Sequence, residues 1–289
     1  MNFEIVTDSS ANLPEELIDK YHLHILTLMF LVGGKECYSY VKGEKTDIKQ
    51  FYIKMRNKEN ITTSHINLDA CMEMFENLLR EGKDVLYIGF SSGLSGTYQT
   101  AKIAAEELRE KYPEQKIYTV DTLAASLGEG LLVTYAAEMR AQGQGIDEVY
   151  QWLCDNRLHL CHWFTVDDLF FLKRGGRVSG VAAVAGTVLG IKPVMHVDDE
   201  GHLIPVAKVR GRKKALDALV DHMAESAIEP EKQVVYITHG DCIEDAEYVA
   251  NQVKARFGVK KIVINYVDPV IGAHSGPGTV ALFFYGSKR

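Results

Sequence analysis

The stretch "VLYIGFSSGLSGTYQTAKIAAEEL", residues 85–108, runs an apolar strand into an amphipathic helix through the loop "SSGLSGT", which holds four hydroxyls and two glycines. A strand ending at Ser91, Ser92 and Gly93 and a helix opening at Gly96 leave free backbone N–H groups pointing outward, a place that favours an anion. The hydroxyls of Ser92, Ser95 and Thr97 add donors, and the glycines let an oxygen ligand such as a carboxylate or phosphate approach the backbone. The loop has neither the Gly-Lys-Ser/Thr of a Walker A motif nor the Gly-x-Gly-x-x-Gly of a dinucleotide site, which argues against nucleotide binding. It does contain Gly-x-Ser-x-Gly in "GFSSG", residues 89–93, the pattern of a hydrolase nucleophile elbow. The plainer alternative is that glycine and serine simply cap a helix.

Outward from this unit, strand-like runs alternate with helical patterns, the signature of an α/β domain with a largely parallel sheet. Residues 3–7 read as a strand, and "SSANLPEEL" starts a helix with Pro14 in its first turn. Residues 24–32 and 36–40 form an expected hairpin around Gly33-Gly34, followed by a helix over 46–56 and a second, capped by Asn67, through Arg80. A strand at 116–120 and helices at 125–141 and 146–156 complete the first half. Hydroxyls follow the strand ends at Thr7-Asp8-Ser9-Ser10, Ser91-Ser92 and Asp121-Thr122. Ligands of open α/β sheets sit beyond the carboxyl ends of the strands, so these loops are expected to share one crevice. The second half reads as an α+β unit with a mixed or antiparallel sheet. Its strands are expected at 158–166, 191–197, 202–209, 233–238, 260–267 and 279–285, and its helices at 211–226 and 243–257, with a small-residue helix, "VAAVAGTVLG", from Val181. The boundary falls near residue 157, giving domains of 1–157 and 158–289.

At 289 residues with 46% hydrophobic side chains the chain can bury a full core and is long for one compact unit. A net charge of −7 argues against a general nucleic-acid binder, so any anion site must be local. The five cysteines, Cys37, Cys71, Cys154, Cys161 and Cys242, are odd in number and form no Cys-x-x-Cys pair, which reads as a reducing, cytoplasmic setting. No signal peptide or membrane-length apolar run is seen, so a soluble protein is expected.

Further candidates lie elsewhere. "NITTSHIN" places Thr62, Thr63, Ser64 and His65 before the Asn67-capped helix, a second hydroxyl-rich loop whose plain reading is a polar turn. "VIGAHSGPGT" places His274 in what reads as a stiff turn among Gly272, Gly276, Pro277 and Gly278. "LKRGGRVSG" and "AKVRGRKKAL" concentrate Arg174, Arg177, Arg210 and Arg212 as an anion or docking patch, although charge runs are usually solvated faces. "LHLCHW" offers His159, Cys161 and His162, but strand alternation sends His162 to the other side and no second ligand pair follows, so no metal is expected.

These loops in their order resemble the DegV family of bacterial fatty-acid-binding proteins, the lipid-carrying subunits of fatty acid kinase. The resemblance runs through "VTDSSANLP", "TTSHIN", "SSGLSGTYQTA", "VDTLAASLGEG", "LKRGGRVSG" with "GIKPV", "AKVRGRKKAL" and "IGAHSGPGTVALFF". It implies an α/β/α sandwich with a mostly parallel sheet, a smaller α+β domain with a mixed sheet, and a long-chain fatty acid in a tunnel between them. It also implies that the acid's carboxyl is held by Thr63, Ser95 and His274, with Ser64, Ser92, Gly96, Thr97 and Gly276 as further pocket positions. The basic residues would lie near the mouth, where an ATP-dependent kinase subunit docks and phosphorylates the carboxyl. No cofactor, no nucleic acid and no chemistry of the chain's own are implied, and lipid exchange would involve peripheral membrane contact. The chain departs from the family at His65-Ile66-Asn67, in the loop Thr63-Ser64-His65-Ile66-Asn67 where the family more often has Thr-Ser-Gln-Pro-Ser, and at Gly211, where it more often has a threonine. The physical logic is that burying a sixteen-carbon tail gains on the order of 10 kcal/mol at about 0.8 per CH₂, while each hydroxyl contact contributes about 0.5–1.5 kcal/mol. The tail would supply affinity, and neutral donors would position the head. Tunnel walls are expected from "ILTLMFLV" and "VAAVAGTVLG".

Two rival readings stand beside it. A serine hydrolase would use Ser91 with His274 as base and Asp241 or Asp268 as orienter, although "GLSG" intervenes before the helix where an elbow serine should start it at once. A regulatory protein binding some other small acid would differ only in the length of its pocket.

Overall fold

The computed structural model describes residues 3–44, 46–178 and 190–289; the helix expected from Val181 falls on residues outside these. The first sheet is fully parallel, in the order β2 (His24–Leu26), β1 (Phe3–Asp8), β6 (Asp84–Gly89), β7 (Ile117–Asp121). Its central strands β1 and β6 are buried on both faces because their side chains alternate between two cores. Val6, Val85 and Tyr87 pack under α3 (Leu68–Arg80) and α4 (Thr97–Lys111). Ile5, Leu86 and Ile88 face α5 (Leu127–Ala141), with α6 (Ile146–Asn156) on the same side.

The second domain carries a mixed six-stranded sheet. Its order is β10 (Leu203–Arg210), β9 (Ile191–Val197), β8 (Leu160–Thr165), β13 (Val280–Tyr285), β11 (Val234–His239), β12 (Lys261–Tyr266). Only β11 and β12 run parallel. One face packs on α8 (Arg212–Ser226) and α9 (Ile243–Phe257), and the other on α5. Helix α5 therefore lies between two sheets, and a single core joins Ile5 and Ile88 to Phe164 and Phe283. Such a position needs close approach: a Cβ at Gly130 would stand 2.5 Å from the Ala11 carbonyl oxygen.

Three expectations are corrected. The strand over 24–32 divides: β2 stays in the parallel sheet while β3 (Met29–Val32) joins β4 (Lys35–Tyr38) and β5 (Ile61–Thr63) in an antiparallel sheet. There the Leu28 N–H donates to Ser9 Oγ, nineteen residues back in the chain, at 2.9 Å and leaves the ladder. The Thr62-Thr63 loop is strand β5, with Thr63 opposite Phe30, in keeping with the β preference of branched side chains. The segment around His274 is a helix, α10 (Pro269–Ser275). Pro269 opens it, and the Asp268 carboxylate accepts from the N–H groups of Val270 and Ile271 at 3.1 Å each. Helix α2 (Ile48–Arg56) packs against it and α7 (Phe170–Arg174) lies beside it.

Candidate functional site

A cavity of about 270 Å³ opens where the carboxyl ends of the parallel strands meet α10 and the inner face of the second sheet. Loops after β1, β6 and β7 all reach it, through Ser10, Phe90 to Gly96 in part, and Ala125 with Ser126. Most of its wall is apolar, including Leu28, Leu94, Phe164, Leu172, Val270 and Phe283. Of "ILTLMFLV" only Leu28 is in the lining.

Thr63, Ser95 and His274 all line this cavity. Thr63 ends β5, fixed by its pairing to β3, and its Oγ1 lies 2.8 Å from Nε2 of His274 in the last turn of α10. On the opposite side the ring rests on backbone, because a Cβ at Gly175 would come within 2.3 Å of Nδ1. Burial, then the charges of Arg177 and Arg174, push the His274 pKa down to about 4, so the imidazole is neutral near pH 7. Ser95 precedes α4; its Oγ is 2.9 Å from Thr97 Oγ1 and accepts from the Thr97 N–H at 3.2 Å. Ser64 and Gly96 share the lining.

Other candidates are placed elsewhere. Ser92 is exposed, Thr97 is buried beneath Ser95, and Gly276 caps α10 at φ 81°, where a Cβ would stand 2.4 Å from the Phe171 ring. None of the three is in the lining. The four arginines do not form one patch. Arg177 lines the cavity, with Nε donating to the Leu94 carbonyl at 3.1 Å and a second N–H to that of Gly175. Arg174 lies over Phe171, Arg212 pairs with Asp245 at 2.8 Å and Asp167 at 3.5 Å, and Arg210 is exposed.

The hydrolase arrangement is not assembled. Ser91 is fully buried outside the lining and donates to the Gly201 carbonyl at 2.9 Å. Asp241 pairs with Arg56, and Asp268 caps α10. Among the described residues no three His, Cys, Asp or Glu side chains converge as a metal requires.

Sequence reasoning passed over the inner wall. His162, weighed only as a metal ligand, lines the cavity with Phe164 on the same face of β8, as do Thr238 and Ser126. The period of two that separates His162 from Cys161 was the available signal.

Residues 2–287 match the family described as "Uncharacterised protein, DegV family". A DegV domain-containing protein of Clostridium perfringens is 45% identical over 287 residues, 99% of this chain and 98% of that one. A DegV lipid-binding protein from Thermotoga maritima shares the fold at a TM-score of 0.87 and 30% identity over 100% of both chains. A DegV family protein from Thermus thermophilus, described for its fatty acid binding, gives 0.87 at 29% identity over 99% of this chain and 100% of that one. DegV from Bacillus subtilis, described as a fatty acid binding protein, gives 0.84 at 28% identity over 98% of each.

Proposed function

This chain belongs to the DegV family, and on that premise we propose that it carries a long-chain fatty acid and presents the carboxyl to an ATP-dependent kinase, without chemistry of its own. The acid lies in the cavity between residues 1–157 and 158–289, its carboxylate at Thr63, Ser95 and His274. The observation that carries the reading is the 2.8 Å contact between Thr63 and His274, groups 211 residues apart in the chain, at an apolar cavity that Ser95 also lines.

The chemistry suits a carrier. Neutral hydroxyls and a neutral imidazole hold a carboxylate while leaving one oxygen free to attack the γ-phosphorus of ATP; the new O–P bond replaces the bond to ADP. Arg177 adds attraction, with two of its five N–H groups already committed to the Leu94 and Gly175 carbonyls. The five free thiols fit a reducing cytoplasm. Native mass spectrometry of the purified protein tests the binding step, with a co-purifying fatty acid expected. Delipidated protein that fails to bind palmitate or oleate at micromolar concentration would overturn it. Acyl phosphate trapped as a hydroxamate, after addition of a fatty acid kinase and ATP, tests the presentation step. Ester turnover lost in Ser91→Ala would instead establish the hydrolase.

A further inference from the structure

Ser91, the middle residue of "GFSSG", is fully buried where three loops meet. Its N–H donates to the Ala124 carbonyl after β7 at 2.9 Å, and its carbonyl accepts from the N–H groups of Leu94 and Ser95 at 3.1 and 3.2 Å. Its Oγ accepts from the Gly93 N–H at 3.2 Å and donates to the Gly201 carbonyl at 2.9 Å. Gly201 belongs to the turn between β9 and β10, so this hydroxyl joins the loop that carries Ser95 to the six-stranded sheet. The fit is close: a Cβ at Gly201 would stand 2.1 Å from Ser91 Oγ, and one at Gly93 would stand 2.8 Å from the Glu200 carbonyl oxygen.

We propose that Ser91 is a positioning residue for the headgroup: it seats the Ser95 hydroxyl at the cavity by tying its loop to the β9–β10 turn, and it touches no ligand itself. The inference rests on the fatty-acid reading of the same cavity. The turn can serve as an abutment because it is braced. The Asp198 carboxylate accepts from the N–H groups of Glu200 and His202 at 3.1 and 2.7 Å, and the Gly201 N–H donates to the Asp198 carbonyl at 3.0 Å. Arg289 Nη1 then spans from the Asp198 carbonyl, at 3.1 Å, to the Leu123 carbonyl after β7, at 2.8 Å. From Ser91 to the headgroup site the path is short, since the Ser95 N–H is bonded to the Ser91 carbonyl and Leu94 between them lines the cavity. Alanine at 91 keeps that backbone turn but leaves the Gly93 N–H and the Gly201 carbonyl without their partner, which favours parting of loop and turn so that water reaches both. Ser95 moves with the loop.

The test is a double-mutant cycle in which palmitate displaces a fluorescent fatty acid from the delipidated full chain. Ser91→Ala is expected to raise the palmitate Kd about tenfold in the wild-type background and by about twofold at most in a Ser95→Ala background, because its effect passes through Ser95. A merely structural role predicts the same loss in both backgrounds; that result overturns the inference, as does an unchanged Kd in Ser91→Ala. Gly93→Ala covers the case in which Ser91→Ala does not fold. Gly93 is not at positive φ, and its Cβ would press on the Glu200 carbonyl and push the turn away with Ser91 intact. The same background-dependent loss is expected there, and an equal loss in both backgrounds again overturns the inference. These results leave palmitate binding by the wild type in place, whereas wild-type protein that binds no palmitate overturns the fatty-acid reading itself.

Discussion

Thr63→Val tests the division of labour between head and tail. Valine keeps the branched shape that suits β5 and its pairing with Phe30, and it removes only the hydroxyl that lies 2.8 Å from His274. A hydrogen bond to a charged group contributes about 1.5–3 kcal/mol, so losing one to the carboxylate weakens binding by roughly 10- to 150-fold at 1.4 kcal/mol per decade. The tail, with on the order of 10 kcal/mol available before ordering costs, still holds the ligand. The variant should therefore bind palmitate measurably in isothermal titration, at raised Kd, and the methyl ester should lose far less. A cycle with His274→Phe should show coupling of about 0.5–3 kcal/mol, because the two side chains are in contact. Palmitate affinity within twofold of wild type would remove Thr63 from the headgroup site. Complete loss of binding in a folded variant would show that the tail does not carry the affinity.

Three further outcomes follow from the geometry. Gly175→Ala is compatible with the backbone there (φ −73°), yet its Cβ would lie 2.3 Å from His274 Nδ1; pushing the ring away should weaken fatty acid binding about tenfold, and unchanged affinity would refute the placement of the imidazole. His274 and His239 are both held near 4 by burial against an ordinary 6.5, so the unfolded chain takes up protons that the native sites refuse. Unfolding free energy should thus fall as pH drops from about 6.5 to about 4, by up to roughly 3 kcal/mol for His274. Urea titrations that show no smaller acid loss in His274→Phe would contradict this. Asn67→Ala removes a side chain that accepts from Asp69 N at 2.7 Å and Ala70 N at 3.4 Å, and should lower stability by about 1 kcal/mol; an unchanged denaturation midpoint would show that the cap contributes nothing.

How much of this was legible in the sequence depends on whether the deciding interaction is local. Helix α3 was bounded correctly because its start is set by Asn67, a residue that caps its own next turn. The split of the 24–32 strand was hidden because a hydroxyl nineteen residues away, Ser9, takes the Leu28 N–H. Helix α10 was hidden by Gly272, which reads as a loop residue; there a Cβ would stand 2.7 Å from the Tyr52 hydroxyl, so the glycine serves packing against α2. At the site, residue type alone could not separate Ser95 from its neighbours. The turn into α4 aims Ser95 at the cavity, leaves Ser92 in solvent and buries Thr97. The resemblance named Thr63 and His274, but no sequence pattern states that their side chains touch.

The position of α5 connects these features. A helix packed between two sheets must present small groups where the sheets come close, and Gly128 and Gly130 do so, against His162 and the Ala11 carbonyl. Free volume remains where the strands end, which is where the loops after β1, β6 and β7 and helix α10 converge. The cavity is thus a consequence of joining the sheets through one shared helix. Its headgroup-side polar atoms, on Thr63, Ser95 and His274, come from strand and helix ends, while the second sheet contributes a mostly apolar face through Phe164, Ala281 and Phe283, with His162 and Thr238 the polar exceptions. An amphiphile with one small polar head is the ligand class that such a division fits, since a ligand polar throughout would leave its groups unpaired along the strands.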